Sequence, residues 1–221
     1  MTNYAVIVLA GNSTRFGTSK QFFPVQGKPL VSYTISAFEN HPKIDEIILV
    51  IREEDRHGLA QIIKQFNFVK VTAMVSGGAT RAESVRHGLE VIRDREGYVL
   101  VHDGARPLVS QELISNLLEE LKKSKCVVPF LLQEDATFSI EKNDYINRKD
   151  LFRIQTPQAF ETKEIIKLFA EHFDPNALDE ASMYRHYGRI GFIQGEKKNI
   201  KVTTKEDIAI IEAYLNYGIQ G

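Results

Sequence analysis

Three short segments of this 221-residue chain set small residues beside Arg or Lys, a pairing suited to binding anions through exposed backbone N–H groups. The first is Gly11-Asn12-Ser13-Thr14-Arg15-Phe16-Gly17-Thr18-Ser19-Lys20, directly after the apolar run Tyr4–Ala10. Its small side chains let the backbone approach a phosphate, and Arg15 and Lys20 add charge, as a triphosphate cradle requires. Neither common phosphate-loop template applies. Ser13 stands where G-x-G-x-x-G needs its second glycine, and no Gly-Lys pair ends the loop. The plain alternative is a solvated loop with two ordinary basic residues.

The second segment is Ser76-Gly77-Gly78-Ala79-Thr80-Arg81-Ala82-Glu83-Ser84. Thr80 and Glu83 have capping-box spacing, so a helix is expected to begin here, and a helix N-terminus attracts anions. Arg81 and Ser84 then fall in the first turn, while Gly77 and Gly78 leave room for a flat base or a ribose. A plain capped turn is the competing reading. The third segment is His102-Asp103-Gly104-Ala105-Arg106-Pro107. Asp103 suits orienting a cation or a sugar hydroxyl, and Arg106 suits bidentate phosphate binding. His102 is expected on the opposite face of its strand, in a core or supporting role. Near the C-terminus, Lys201 is expected on a short strand, Asn199–Thr203, just before a helix capped by Thr203 and Glu206. Alone it reads as a surface lysine.

The elements that must position these loops alternate along the first half of the chain. Tyr4–Ala10, Asp45–Ile51, Phe68–Met74, Tyr98–His102 and Lys125–Phe130 read as strands, several of them continuous apolar runs that suit a sheet covered on both faces. Between them, helices are expected over KPLVSYTISAFENH, through Leu59–Phe66, from Thr80 onward, and along the stripe Ile114, Leu117, Leu118 and Leu121. Repeated βα units imply an open α/β sheet, whose ligands bind beyond the carboxyl ends of the strands where strand order reverses. The three basic loops all follow strands. The polar stretch Gln133–Arg148, with the turn candidate Lys142-Asn143-Asp144, reads as a projecting hairpin suited to a subunit contact. Helices are expected again at Glu161–His172 and near Asp179–His186, then a strand at Arg189–Gln194 and the final helix. One domain over residues 1–221 is expected, with an arm at about 133–151.

Composition narrows the function classes. Lys plus Arg number 28 against 29 Asp plus Glu, a net charge of −1, which weighs against a protein that coats nucleic acid. The single cysteine, Cys126, rules out an intrachain disulfide and a multi-cysteine zinc site, and its mid-strand position predicts a buried, inert thiol. No apolar run approaches the ~20 residues that span a bilayer, and Tyr4–Ala10 is short for a signal segment and lacks a basic flank. A cytoplasmic protein that uses neither membrane nor nucleic acid is expected. There is no nucleophile elbow and no HExxH motif. Convergent positive charge without a nucleophile suits phosphoryl or nucleotidyl transfer, which depends on positioning and charge neutralisation.

Six segments in order, LAGNSTRFGTSKQF, GGATRAES, VHDGARP, RIQTPQAF, LDEAS and NIKVTTKEDI, make the chain resemble the 2-C-methyl-D-erythritol 4-phosphate cytidylyltransferase family, with ribitol-5-phosphate cytidylyltransferases as near relatives. The resemblance implies a Rossmann-like nucleotidyltransferase α/β fold of the nucleotide-diphospho-sugar transferase type, with a mostly parallel sheet and a β-arm through which the protein forms a homodimer. It implies an enzyme of isoprenoid precursor biosynthesis that uses CTP and Mg²⁺ to transfer CMP onto a polyol phosphate, releasing pyrophosphate. Carried over by motif, Arg15, Lys20 and Lys201 are the expected catalytic cations. Ala10, Gly11, Asn12, Gly77, Gly78, Arg81 and Ser84 are expected to bind the nucleotide, and Asp103, Arg106, Thr137 and Arg148 the acceptor, Arg148 across the dimer. Magnesium is expected to be held mainly by the CTP phosphates, with Asp103 as a candidate ligand.

Three departures stand out. Ser19 replaces the usual proline before Lys20, Asp135-Ala136-Thr137 replaces Asp-Thr in the arm, and Leu178 replaces the threonine before Asp179-Glu180-Ala181-Ser182. The last two fall on the acceptor side. They keep ribitol 5-phosphate as an alternative acceptor, beside an inactive nucleotide-binding scaffold and, with its glycine fingerprint missing, a dinucleotide oxidoreductase.

Overall fold

The computed structural model describes residues 1–11, 16–17, 19–93 and 96–217. Strand β1 (Tyr4–Val8) is followed by a short ladder of β2 (Pro24–Val25) and β3 (Lys28–Pro29), then by α1 (Leu30–Glu39). Next come β4 (Glu46–Ile51), α2 (Arg56–Phe66), β5 (Val71–Ser76), α3 (Arg81–Glu90), β6 (Tyr98–Asp103), α4 (Gln111–Glu120) and β7 (Cys126–Leu132). The chain then forms a hairpin of β8 (Thr137–Ser139) and β9 (Asp144–Ile146), and returns through β10 (Phe152–Ile154) and β11 (Gln158–Glu161). Helices α5 (Thr162–Glu171) and α6 (Glu180–Tyr184), strand β12 (Gly191–Gln194) and α7 (Glu206–Tyr217) complete it.

The central strands are apolar throughout because both of their faces are covered. Successive side chains alternate between two cores, as a strand's period of two demands. Ala5, Ile7, Ile47, Leu49, Ile51 and Leu100 pack on one face with α1, α2 and α4. Tyr4, Val6, Ile48, Val50, Val99 and Val101 pack on the other with α3, α5 and α6. Fully burying one such Val, Ile or Leu side chain contributes roughly 1.5–3 kcal/mol. A third, smaller cluster of Phe16, Val25, Leu30, Val202, Ile208 and Ile211 holds α7 over the start of α1.

Strands β5, β4, β1 and β6 run parallel in that order. The chain moves outward from β1 to β4 and β5, then returns to β6 on the far side of β1. Strand order therefore reverses between β1 and β6, which opens a crevice at their carboxyl ends. Beyond β6 the pattern departs from repeated βα units: β11 inserts antiparallel between β6 and β7, and β12 pairs parallel with β7. Because β10 and β11 both lie against β7, they form one antiparallel strand interrupted at Gln155-Thr156-Pro157. The expected α/β sheet is present and mostly parallel, and the arm is an ordered hairpin with Asn143 at φ 51° in its turn.

Two local expectations are corrected. Asn199–Thr203 is not a strand; it runs extended beside the loop after β6, where the Val202 N–H donates to the Ala105 carbonyl at 2.8 Å. Thr203 and Glu206 do not form a capping box either. The Asp207 carboxylate accepts from the N–H groups of Thr203 (2.6 Å) and Thr204 (2.9 Å) and from the Thr203 hydroxyl (2.9 Å). Its position one residue further along, inside the first turn, lets one short side chain collect several donors at once.

Candidate active site

Register brings the three loops together. Val8 lies beside both Val50 and Asp103, and Ile51 beside Ser76, so the loops after β1, β5 and β6 leave the sheet at one edge. There they enclose a cavity of about 370 Å³ lined by Ala10, Gly11, Lys20, Gly78, Arg81, Ser84, Asp103 and Lys201. Eight of the residues singled out in the sequence therefore share one cleft. Asn12 and Arg15 lie outside the described residues.

In the first loop, Lys20 opens a short turn, Lys20–Phe22, and its Nζ donates to the Val202 carbonyl at 3.0 Å, so the loop and the Lys201 segment hold one another. Buried Gln21, which the sequence did not single out, donates to the Leu9 carbonyl and fixes the chain as it leaves β1. Ser19 donates to Gln21 Oε1 at 3.1 Å, so its hydroxyl braces the loop.

In the second loop, Thr80 and Glu83 form the expected capping box at the start of α3. The two glycines also serve packing. A Cβ on Gly77 would collide with Ala10, and one on Gly78 with Glu83, so the missing side chains let protein approach protein at the rim of the cleft. Ser84 donates to the Thr80 carbonyl (2.9 Å) and accepts from the Gly78 N–H (3.1 Å), bracing the loop from below.

Charged groups meet at Asp103. Arg81 Nε donates to Asp103 Oδ1 at 3.0 Å, Lys201 Nζ approaches Oδ2 at 2.8 Å, and Arg106 Nε lies 3.7 Å from Oδ2. Burial works against the Asp103 charge, but Arg81, Lys201 and Arg106 outweigh it and hold the carboxyl far below the ordinary carboxylate range. The other edge of Arg81 grips Glu180 with two hydrogen bonds, 2.6 and 3.2 Å, from a position ninety-nine residues away in the chain. Burial opposes the Arg81 charge too, and the two carboxylates more than restore it.

Behind Asp103, a hydrogen-bond chain fixes the end of β6. His102 Nε2 lies 3.0 Å from the Arg106 carbonyl, which only accepts, so that nitrogen carries the proton. Nδ1 must then accept from the Thr156 hydroxyl at 3.1 Å, and the same oxygen accepts from the Asp103 N–H at 3.1 Å. His102 is fully buried against Phe38, as expected for a supporting residue, and burial pushes its pKa down to about 4. Thr156 sits in the interruption between β10 and β11; its hydroxyl occupies the gap where ladder pairing stops.

The acceptor-side residues are more scattered. Arg106 is mostly buried and its Nη1 donates to the Asn199 carbonyl at 2.8 Å, so its guanidinium holds the Lys201 segment and does not line the cleft. Thr137 pairs with Ile146 in the arm, and Arg148 Nη1 donates to the Glu134 carbonyl at 3.2 Å at the arm's base; neither lines the cleft. Leu178 is 87% exposed. Gln21, Thr156 and Glu180 are residues that local sequence pattern did not reveal. The available signal for all three was their place in the LAGNSTRFGTSKQF, RIQTPQAF and LDEAS motifs.

Among the described residues, no group of three or more His, Cys, Asp or Glu side chains could hold a metal ion. Both Asp103 oxygens already face cations, so this donor set fits a divalent cation only as the companion of a bound polyphosphate. No helix of the described residues is long and apolar enough to cross a membrane.

The chain is similar to known proteins of one family. A family model described as 2-C-methyl-D-erythritol 4-phosphate cytidylyltransferase matches residues 4–217. A protein of that name from Clostridium tetani is 37% identical over 222 residues, covering 96% of this chain and 90% of the relative. Another from Clostridium novyi is 36% identical, covering 96% of each. The crystal structure of a 4-diphosphocytidyl-2C-methyl-D-erythritol synthase from Anaerococcus prevotii superposes with a TM-score of 0.84 at 30% identity, over 97% of this chain and 98% of that one.

Proposed function

The chain belongs to the 2-C-methyl-D-erythritol 4-phosphate cytidylyltransferase family, and from that premise we propose how its cleft carries out the transfer. The enzyme joins CMP from CTP to 2-C-methyl-D-erythritol 4-phosphate and releases pyrophosphate, a step of isoprenoid precursor biosynthesis. The acceptor phosphate oxygen attacks the α-phosphorus; one P–O bond forms as the bond to pyrophosphate breaks, and no covalent enzyme intermediate is needed. Charge gathers on the α-phosphate oxygens and on the departing pyrophosphate. Lys20 and Lys201, lining one cavity from opposite ends of the chain, supply compensating charge there; Arg15, outside the described residues, is assigned the same role by its motif alone. That shared cavity, with Asp103 between its cations, is the observation that carries the reading.

The glycine-rich loop and the start of α3 receive the nucleotide, and Asp103 aligns the acceptor. A divalent cation held mainly by the CTP phosphates, with Asp103 the carboxylate beside it, would neutralise part of the triphosphate charge when bound. The whole chain acts as one cytoplasmic catalytic domain, and its arm pairs with a second copy. Exposed apolar residues Phe138, Ile140 and Tyr145 on the hairpin support that contact. Thr137 and Arg148 then serve the acceptor pocket of the other subunit, which accounts for their distance from their own cleft.

The test is pyrophosphate release from CTP and Mg²⁺ with each acceptor in turn. Turnover with 2-C-methyl-D-erythritol 4-phosphate and none with ribitol 5-phosphate is expected. Turnover only with ribitol 5-phosphate overturns the acceptor assignment, and silence with both overturns the reading as a whole.

A further inference from the structure

Glu180 is a carboxylate at 1% exposure whose two oxygens are both spent on one guanidinium. Burying such a charge is costly unless its partner is held in place, and the fold goes to some length to hold it. Asp179 caps α6 through the Ser182 N–H at 2.8 Å, and Ser182 returns a bond to the Asp179 N–H at 3.2 Å. Gln158 on β11 then ties both sides of this turn: its Nε2 donates to Asp179 Oδ2 at 2.8 Å, and its Oε1 accepts from the Ala181 N–H at 2.9 Å. Every residue of Asp179-Glu180-Ala181-Ser182 is thereby engaged in aiming Glu180 at Arg81. Burial pushes the Glu180 carboxyl up from its ordinary range and Arg81 pulls it back; a bidentate guanidinium contact is the geometry of the ionised form.

We infer that Glu180 is a positioning residue for the transfer: through Arg81 it fixes Asp103, and it withholds the Arg81 charge from the phosphates of the nucleotide. Arg81 lines the cleft, yet Nε faces Asp103 and both Nη atoms face Glu180, so its donors are turned away from an incoming triphosphate. Lys201 is different. Its side chain is 40% exposed and its ammonium meets Asp103 at a single oxygen, so it can exchange that contact for a phosphate oxygen while Arg81 keeps Asp103 charged and in place. Without Glu180, Arg81 is free to turn into the cleft. A free guanidinium there holds CTP and pyrophosphate in the ground state and no longer orients Asp103, so affinity rises while turnover falls.

This rests on the proposed transfer, which wild-type turnover tests by itself. The experiment compares Glu180→Gln, Arg81→Gln and the double variant, each as full-length protein with its Tm recorded. For Glu180→Gln, kcat is expected to fall at least about tenfold while the Kd of CTP, titrated without acceptor, falls about threefold or more. In the Arg81→Gln background, Glu180→Gln is expected to change kcat by less than about twofold, since a residue acting through another has no effect once that other is gone. An unchanged or weakened CTP affinity in Glu180→Gln overturns the inference, because a merely structural residue lowers the folded fraction and does not tighten binding. Additive losses in the double variant overturn it as well. If wild type itself shows no turnover, the proposed function fails, whereas the CTP titrations still decide whether Arg81 is withheld.

Discussion

The cleft and the arm are built on opposite principles. At the cleft, side chains from β6, α3, α6 and the segment before α7 hold one another through paired charges and a hydrogen-bond chain, most of it buried. The arm hairpin is held by its own short ladder, a few turn hydrogen bonds and a Phe138–Tyr145 edge contact, 5.3 Å between ring centroids, and it exposes Ile140 to 90%. A site that must stabilise charge in a transition state works best when its groups are already in place, and Arg81, held by Glu180, keeps Asp103 in place. An arm that completes its packing against a second copy has no such need in the single chain. On the function proposed above, this contrast assigns nucleotide chemistry to one subunit and divides acceptor binding between two.

The largest expected effect tests the cleft. Lys20→Ala removes a cation from the cavity without disturbing either main core, so the protein should fold normally while kcat falls by roughly 10²–10³. Single-turnover kinetics with a circular dichroism spectrum check it, and activity within tenfold of wild type would remove Lys20 from its catalytic role.

Next in size is the pH dependence set by His102. Its pKa is lowered from 6.5 to about 4 by burial, so between these values the unfolded chain binds the proton and the folded chain does not. The contribution is fully present above pH 6.5 and is lost as pH falls toward 4, roughly 3 kcal/mol in all. Urea unfolding at a series of pH values should show that loss in wild type and not in His102→Gln. Comparing the two cancels every titrating group they share, and equal slopes would show that His102 does not carry the effect.

The smallest effect on stability is expected at the arm. Arg148→Ala should change stability by at most about 0.5 kcal/mol, as at other exposed positions, while impairing turnover with the acceptor. An equal mixture of Arg148→Ala with Lys20→Ala subunits should recover about a quarter of the wild-type rate, because half of the dimers then contain one intact shared site. No recovery would place Arg148 in service of its own subunit and erase the contrast between arm and cleft.

Much of this was legible in the chain. Continuous apolar runs and small-residue loops at their ends are local patterns, so the strand–helix order, the three loops and the gathering of Lys20 with Asp103 follow from them, while Lys201 entered only through its motif. Other features depend on which elements become neighbours. The antiparallel insertion of β11, the interruption that places Thr156 under Asp103, and the aim of Arg106 at the distant Asn199 carbonyl leave no periodic trace. Gly77 is an instructive case: its smallness was visible, but only packing against Ala10 explains it. By itself the sequence determined an α/β protein with a basic cleft, because hydrophobic period and loop composition act over a few residues. Tertiary structure alone decided which cations face the ligand and which are held by carboxylates. That depends on bonds such as the one between Arg81 and Glu180, whose partners meet only once the sheet has closed between them.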